Sequence, residues 1–371
     1  MRFGLHPNGR LKSTHNGYAA DPKMTIRTLL AILASLLLSV SVAAALFYLS
    51  LGLGDQPPAD PSTRPEDIAY VKRWSEPRGR ILAVVTSTER SPGGEIESGL
   101  ELTELSRAYY TFLANGYAVD IASPEGGKPP VVIDEHLIDV DYAFMNDQDA
   151  QSALSRTLRL QDVDPSLYDA VYYVGGKGVM FDFAGNADVQ RITVAIYGSG
   201  GVVGAICHGP AALVGVTRAD GRPLIEGRQI TGFTNDEELF MLPDAREIFP
   251  FLLEDRLRSS GATFVAGEMY LENTVVDGRL VTGQNANSTW SVAEGMIRAL
   301  GHSPVPRLKT LEEGAMELLD LYHEKGVMAA LEHVHQGVRA DKRLLMRYAL
   351  LSAIRGRWHD AYHVHTLVRR L

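Results

Sequence analysis

The chain has little of what most cofactor and metal sites require. Its 371 residues include a single cysteine, Cys207, which excludes an intramolecular disulfide framework and a cysteine-based zinc site. The phosphate-loop spacing GxxxxGK[ST] is absent at 175–178, and GxGxxG is absent around 198–204, so nucleotide binding is not expected. A net charge of −9 without a central Lys/Arg run argues against a nucleic-acid partner. We expect neither a metal nor a cofactor.

Charged residues are also missing from 28–54. An apolar run of this length can cross a bilayer core of roughly 30 Å as a helix. Residues 1–27 are positively biased and the far flank is acidic, so the positive-inside rule predicts a cytoplasmic tail over 1–27 and a single-pass transmembrane anchor over 28–54. The rest of the chain would then be exported, to the periplasm or the cell exterior. Small residues at 41–45 leave a cleaved signal peptide as the alternative.

The remainder of the chain falls into three segments. Residues 55–78 are rich in proline and charge and are predicted to be a linker. Over 79–302, short apolar strands alternate with helices, which is typical of an α/β domain. Residues 303–371 predict an extension of two or three amphipathic helices, which would dock onto the domain or onto a partner.

Cys207 lies at the break between an apolar strand at 202–206 and a helix opened by Gly209 and Pro210. A lone cysteine in this setting is often only a small buried hydrophobe. Here, however, the start of the helix offers free backbone N–H groups, which favour the thiolate. His208 follows directly and can accept or donate a proton. The pattern therefore predicts a nucleophilic cysteine.

Two further stretches are candidates for the same site. A strand at 168–176 ends in Gly175 and Gly176, where the backbone can approach a substrate. The N–H of Gly176 together with that of His208 could form an oxyanion hole. The acidic cluster at 235–238 follows a short strand; taken alone, such a cluster is usually a solvated helix start.

The segment Ala-Ile-Cys-His-Gly-Pro at 205–210 resembles the nucleophile elbow of the ThiJ/PfpI superfamily. Further matches at 176–183 and 280–288 extend the resemblance from about residue 79 to residue 300. The resemblance implies a parallel-sheet sandwich that is flavodoxin-like and class I glutamine amidotransferase-like. Within the superfamily, the chain is most similar to the branch of heat-shock chaperones that also act as glutathione-independent glyoxalase III.

The resemblance also implies roles for individual residues. Glu104 would be the carboxyl partner of the thiol, and Glu238 would orient His208, with Asp236 in reserve. Lys177 stands where the family commonly has histidine, which places a permanent cation beside the pocket. The catalytic residues implied are Cys207, His208, Glu238 and Glu104. The substrate-binding residues implied are Gly175, Gly176, Lys177 and Asn285.

The activity implied by the resemblance is the conversion of methylglyoxal and water to D-lactate, or a related detoxification of a small reactive carbonyl. Two alternatives stay open at this point. One is a redox-responsive holdase chaperone that keeps the fold and the cysteine without turnover. The other is an amidotransferase-like or peptidase-like hydrolase that uses the same elbow. A homodimer is the expected assembly.

Overall fold

The computed structural model describes residues 26–71, 76–94 and 96–371. Most of the tail predicted over 1–27 lies outside the described residues. The chain divides after Asp55 into two compact units. The first contains helix α1 (Ile26–Ser50), and the second begins at Gln56 and runs to Leu371.

The prediction of a transmembrane anchor is wrong. In the part of the chain that the structure describes, no helix is both long enough and apolar enough to cross a membrane. The apolar run at 28–54 does not form one continuous helix, because α1 ends at Ser50 and residues 51–54 form turns in which Leu51 and Leu53 are buried. The predicted localisation as a single-pass membrane protein with an exported domain depended on such a helix and is wrong for the same reason.

The strands of the second unit form one large sheet and two small ones. The strands are β1 (Gly79–Val84), β2 (Leu100–Glu101), β3 (Tyr117–Ser123), β4 (Val131–Val132), β5 (Leu158–Arg159), β6 (Ala170–Tyr173), β7 (Val202–Ile206), β8 (Gln229–Ile230), β9 (Thr263–Phe264), β10 (Thr274–Asp277) and β11 (Leu280–Gly283). Seven of these described strands make the large sheet, in the order β10-β11-β7-β6-β1-β3-β5. Adjacent strands in it are parallel, except that β10 and β11 are antiparallel. The predicted parallel sheet is therefore present.

Helices pack on both faces of the large sheet, and further helices come after its last strand in the sequence. Those up to residue 299 are α2 (Leu102–Ala114), α3 (Asp139–Asn146), α4 (Gln148–Ser155), α5 (Val179–Asp182), α6 (Ala187–Gly198), α7 (Asn235–Met241), α8 (Ala245–Ile248), α9 (Leu253–Ser259) and α10 (Thr289–Ala299). Short 3₁₀ helices lie at Pro65–Asp67, Leu160–Asp162, Pro165–Leu167, Gly209–Leu213 and Ala286–Ser288.

Both faces of the large sheet are buried. Along β1, Ile81 and Ala83 pack in a core with α2 and α10, whereas Leu82 and Val84 pack in the opposite core with α6 and α9. Alternate side chains of a strand point to opposite faces, so a strand covered on both sides is apolar throughout. The carboxyl ends of β6, β7 and β11 lie at one edge, where α/β sheets place their ligand sites.

The C-terminal extension consists of α11 (Leu311–Lys325), α12 (Val327–His335), α13 (Lys342–Ile354) and α14 (Trp358–Val368). Each break between these helices contains a glycine with positive φ: Gly326 at 84°, Gly337 at 88° and Gly356 at 76°. A left-handed residue ends a helix most easily when it is glycine. The described extension therefore has four helices, where the sequence predicts two or three.

Polar contacts join this extension and the segment after Asp55 to the rest of the second unit. Gln56 Nε2 donates to the carbonyl of Ala340 (2.7 Å), and Asn146 Nδ2 donates to the carbonyl of Pro61 (2.8 Å). Residues 56–71 are therefore held by the folded unit over the described part of the predicted linker.

Candidate active site

Cys207 directly follows β7, at the carboxyl edge of the large sheet. Its φ is +57°, a left-handed conformation that residues other than glycine rarely adopt. The surroundings hold it there: its N–H donates to the carbonyl of Gly283 (2.9 Å), and its carbonyl accepts from the N–H of Phe233 (2.8 Å). This is a sharp strand-to-helix turn of the kind that presents a nucleophile. The helix that follows, Gly209–Leu213, is 3₁₀ rather than α-helical.

Close packing requires glycine on both sides of the turn. A Cβ at Gly175 would lie 2.5 Å from Glu104 Oε2 and 2.8 Å from Cys207 Cβ. A Cβ at Gly209 would lie 2.3 Å from the carbonyl oxygen of Tyr173. Real Cβ atoms do not approach so closely, so both glycines let β6 and the elbow come together.

His208 bridges the thiol and a buried carboxylate. Its Nδ1 lies 3.4 Å from Cys207 Sγ, and its Nε2 lies 2.6 Å from Glu238 Oε2. His208 and Glu238 are each 3% exposed, and Phe233 packs against the imidazole with ring centroids 4.6 Å apart. Asp236, the reserve candidate, is exposed on α7. Of the two candidates, Glu238 is the one in contact with the histidine.

Glu104 approaches the thiol from the first turn of α2. Its Oε2 accepts the N–H of Gly175 (2.8 Å), and its carboxyl shares a hydrogen bond with the Cys207 thiol. The side chain is 1% exposed. The structure thus brings together Cys207, His208, Glu238 and Glu104, the catalytic residues that the resemblance implies.

Burial is the largest cause of the pKa shifts of Cys207 and Glu104. It raises the pKa of the Cys207 thiol well above its ordinary value, and the neighbouring Glu104 charge raises it further. Burial also raises the pKa of Glu104, with Glu101 adding to the effect. Burial and the neighbouring carboxyl group therefore favour the protonated thiol over the thiolate. This direction is opposite to the one expected from the start of a helix, because a one-turn 3₁₀ helix cannot offset burial next to carboxylates.

Glu237, a member of the acidic cluster at 235–238, holds several residues of one cavity wall in place through hydrogen bonds. Its Oε1 accepts from Tyr270 N (2.8 Å), Gln284 Nε2 (3.0 Å) and Asn285 Nδ2 (2.9 Å), and its Oε2 accepts from Thr234 N (3.0 Å). Tyr270 has a φ of +59°. The Thr234-x-x-Glu237 spacing predicts a helix cap and nothing more, so sequence reasoning could not find this role.

Of the four substrate-binding candidates, Gly176, Lys177 and Asn285 line a cavity of about 380 Å³ above Cys207, whereas Gly175 does not. Lys177 lies in its wall with Nζ 2.8 Å from Asp134 Oδ2. Asn285 also lines it, although its amide already donates to Glu237 and to a backbone carbonyl. The N–H groups of Gly176 and His208, the expected oxyanion hole, have no recorded hydrogen-bond acceptor among the described residues.

Acidic residues that the sequence did not single out complete the wall. Glu101 is 4% exposed, and its Oε1 has no hydrogen-bond partner in the described structure. Burial raises the pKa of Glu135 to about 7, and Glu101 adds to this effect. Among the residues described, no group of His, Cys, Asp and Glu side chains has the arrangement of a metal site.

Known proteins are similar to the part of the chain that carries the candidate catalytic residues. The family model described as the DJ-1/PfpI family matches residues 96–299. Glyoxalase 3 of Candida albicans is 32% identical over 59% of this chain and 97% of its own length. The glutathione-independent glyoxalase HSP31 of Saccharomyces cerevisiae is 34% identical over 60% of this chain and 98% of its own.

Solved structures of similar proteins cover about the same share of the chain as these relatives. The crystal structure of glyoxalase III from Candida albicans aligns with a TM-score of 0.54 at 30% identity, over 60% of this chain and 97% of that one. The Rapid Encystment Protein of Francisella tularensis aligns with a TM-score of 0.57 at 31% identity, over 60% and 99%. The family match ends at residue 299 and leaves out the C-terminal extension.

Proposed function

This chain belongs to the DJ-1/PfpI family, and on that premise we propose that it is a glutathione-independent glyoxalase that converts methylglyoxal and water to D-lactate. The observation that carries the proposal is the chain of contacts from Glu104 to Cys207, from Cys207 to His208 and from His208 to Glu238. The two relatives named as glyoxalases, at 32% and 34% identity, support it.

In the first step Cys207 Sγ bonds to the aldehyde carbon and forms a hemithioacetal. The thiol proton passes to the Glu104 carboxylate and from there to the aldehyde oxygen, which becomes a hydroxyl group. Transfer of the proton to Glu104 lets the buried thiol react although burial raises its pKa. The unoccupied N–H groups of Gly176 and His208 can stabilise the developing charge on this oxygen.

In the second step His208 moves the proton that converts the hemithioacetal to a thioester. Its Nδ1 lies 3.4 Å from Sγ, so a hydrogen on the carbon bonded to sulfur is within reach. Removal of that proton, with protonation of the neighbouring ketone oxygen, gives an enediol. Return of a proton to the former ketone carbon, with loss of the hydroxyl proton on the carbon bonded to sulfur, gives the thioester of lactic acid. Glu238 stabilises the imidazolium that exists between the two transfers.

In the last step water adds to the thioester carbonyl, the carbon–sulfur bond breaks, and lactate leaves. Of the two hydrogens of water, one stays on the oxygen that joins the carboxylic acid and the other restores the Cys207 thiol, so the overall change is methylglyoxal plus water to lactic acid. No electrons are gained or lost overall, and the proton transfers use Glu104 and His208.

The proposal is tested by following methylglyoxal loss without glutathione for the full chain and for Cys207→Ala. We expect the variant to lose at least about 10³-fold in kcat, with its circular dichroism and Tm close to those of the parent. Equal consumption by both proteins would contradict the proposal. Absence of turnover in a folded parent would also contradict it and would favour the chaperone or hydrolase alternatives.

A further inference from the structure

The cavity above Cys207 has a wall that the family match does not include. Helices α11 and α13 of the extension contribute to it alongside the family domain. Three of the residues that these helices contribute are almost fully buried: Met316 is 5% exposed, Leu344 8% and Tyr348 6%. We call this wall the roof; its residues are Glu312, Met316, Leu344, Arg347, Tyr348 and Leu351.

The roof is attached firmly to the family domain. Arg107 on α2 forms an ion pair with Glu312 (2.9 Å), with side chains only 3% and 8% exposed. Near the other end of the extension, Arg357 contacts Glu268 (2.7 Å). Within the extension, His323 Nε2 hydrogen-bonds to the hydroxyl of Tyr348 (2.6 Å). Met316, Leu344 and Leu351 are therefore fixed parts of the cavity wall.

The cavity has two chemically different ends. At the floor, Cys207 is surrounded by charged and polar groups such as Glu104, His208 and Glu238. At the roof, Met316, Leu344 and Leu351 present apolar side chains. A substrate whose aldehyde carbon reaches Cys207 must therefore direct its substituent toward the roof or toward the opening, where Met241 and Arg347 are exposed.

A methyl group would fill little of this space. The volume of about 380 Å³ lies within the range of pockets that enclose drug-sized ligands, roughly 300–1,000 Å³. Apolar walls contribute to selectivity only when an apolar group displaces water from them. The roof is thus poorly used by methylglyoxal and well suited to a larger apolar substituent.

We propose that the roof makes this enzyme selective for 2-oxo aldehydes with a bulky apolar substituent, such as an aromatic ring, over methylglyoxal. The inference rests on the proposed function, because it names the substrate class for the same nucleophile. It assigns to residues 303–371 the role of specificity determinant.

The test compares kcat/KM for phenylglyoxal and for methylglyoxal in two variants of the full chain. Leu351 lines the cavity, whereas its neighbour Leu350 is 62% exposed. We expect Leu351→Gln to lower the phenylglyoxal-to-methylglyoxal ratio about tenfold and Leu350→Gln to leave it at the parent value. Comparing ratios between variants removes the difference in intrinsic reactivity of the two aldehydes. A ratio unaffected by Leu351→Gln would overturn the proposal.

A binding measurement separates failure of this inference from failure of the proposed function. Mandelate and lactate are the 2-hydroxy acids that correspond to the two aldehydes, and calorimetry on the full chain measures their affinities. If neither aldehyde is turned over, the proposed function fails. The affinities for mandelate and lactate then decide whether the roof selects an apolar substituent. Tighter binding of mandelate that Leu351→Gln reduces about tenfold supports it, and equal affinities overturn it. Leu351→Ala replaces Leu351→Gln if glutamine prevents folding.

Discussion

The floor and the roof of the cavity are built in different ways. The floor is held by backbone: Cys207 has a positive φ, and Gly175 leaves room for Glu104. The roof is held by side chains, through the buried contact of Arg107 with Glu312. The floor belongs to the segment shared with the DJ-1/PfpI family, and the roof does not. On the two proposals above, the chemistry and the choice of substrate are therefore assigned to separate parts of the chain.

The largest effect should come from the floor. Replacement Glu238→Gln removes the charge that stabilises the His208 imidazolium, 2.6 Å away, so kcat should fall by about 10²–10⁴. The matched control is Asp236→Asn, which alters an exposed side chain on the same helix. Both variants are compared with the parent at saturating methylglyoxal. A larger loss for Asp236→Asn than for Glu238→Gln would show that the wrong acid has been assigned.

The next effect tests how the roof is attached. Replacement Arg107→Met leaves Asp141 and Glu312 buried without their cation, so the free energy of unfolding should fall by about 3–5 kcal/mol. The control is Lys309→Met, which removes an exposed ion pair with Glu317 and should cost less than about 1 kcal/mol. Urea unfolding of the full chain measures both. Similar losses in the two variants would mean that the buried contact does not hold the roof.

The smallest effect is expected at Glu135, which also lines the cavity. Burial raises the pKa of Glu135 to about 7. A carboxyl whose pKa is raised by folding contributes stability that is present below its unfolded pKa, about 4.3, and lost as the pH rises through 7. Glu135→Gln should therefore be more stable than the parent at pH 8, by about 2 kcal/mol after allowance for solvent screening.

The same comparison at pH 4 should show little difference between Glu135→Gln and the parent, because Glu135 is then protonated in both the folded and the unfolded chain. Glu125→Gln is the control, since the Glu125 side chain is 79% exposed. A stability difference for Glu135→Gln that does not change between pH 4 and pH 8 would contradict the assigned cause.

The residues of the floor could be predicted from the sequence because they lie in short, recognisable motifs. The elbow around Cys207 and His208 is a contiguous motif, and a resemblance to one family was enough to identify Glu104 and Glu238 as candidates. The comparisons confirm the family, and the structure brings these residues into contact. Their catalytic roles remain a proposal. The parallel sheet was equally accessible, because buried parallel strands leave short apolar runs in the sequence.

Sequence reasoning did not reach the roof, because nothing local distinguishes it. Met316 and Leu344 occupy ordinary apolar positions of amphipathic helices, and only the packing of the extension over Cys207 turns them into cavity walls. The raised pKa of the thiol was missed for a similar reason: it depends on burial beside Glu104, not on the start of the following helix. The membrane anchor was wrong, since no helix in the described part of the chain is long and apolar enough to cross a membrane.

The most direct test of the chemistry at the floor is the stereochemistry of the product. Lactate formed from methylglyoxal by the full chain, without glutathione, is analysed by chiral chromatography beside the same reaction with Cys207→Ala. We expect D-lactate as the single enantiomer from the parent and no lactate above the uncatalysed level from the variant. Racemic lactate would contradict an asymmetric enzyme site, and equal product from Cys207→Ala would contradict the assignment of Cys207 as the nucleophile.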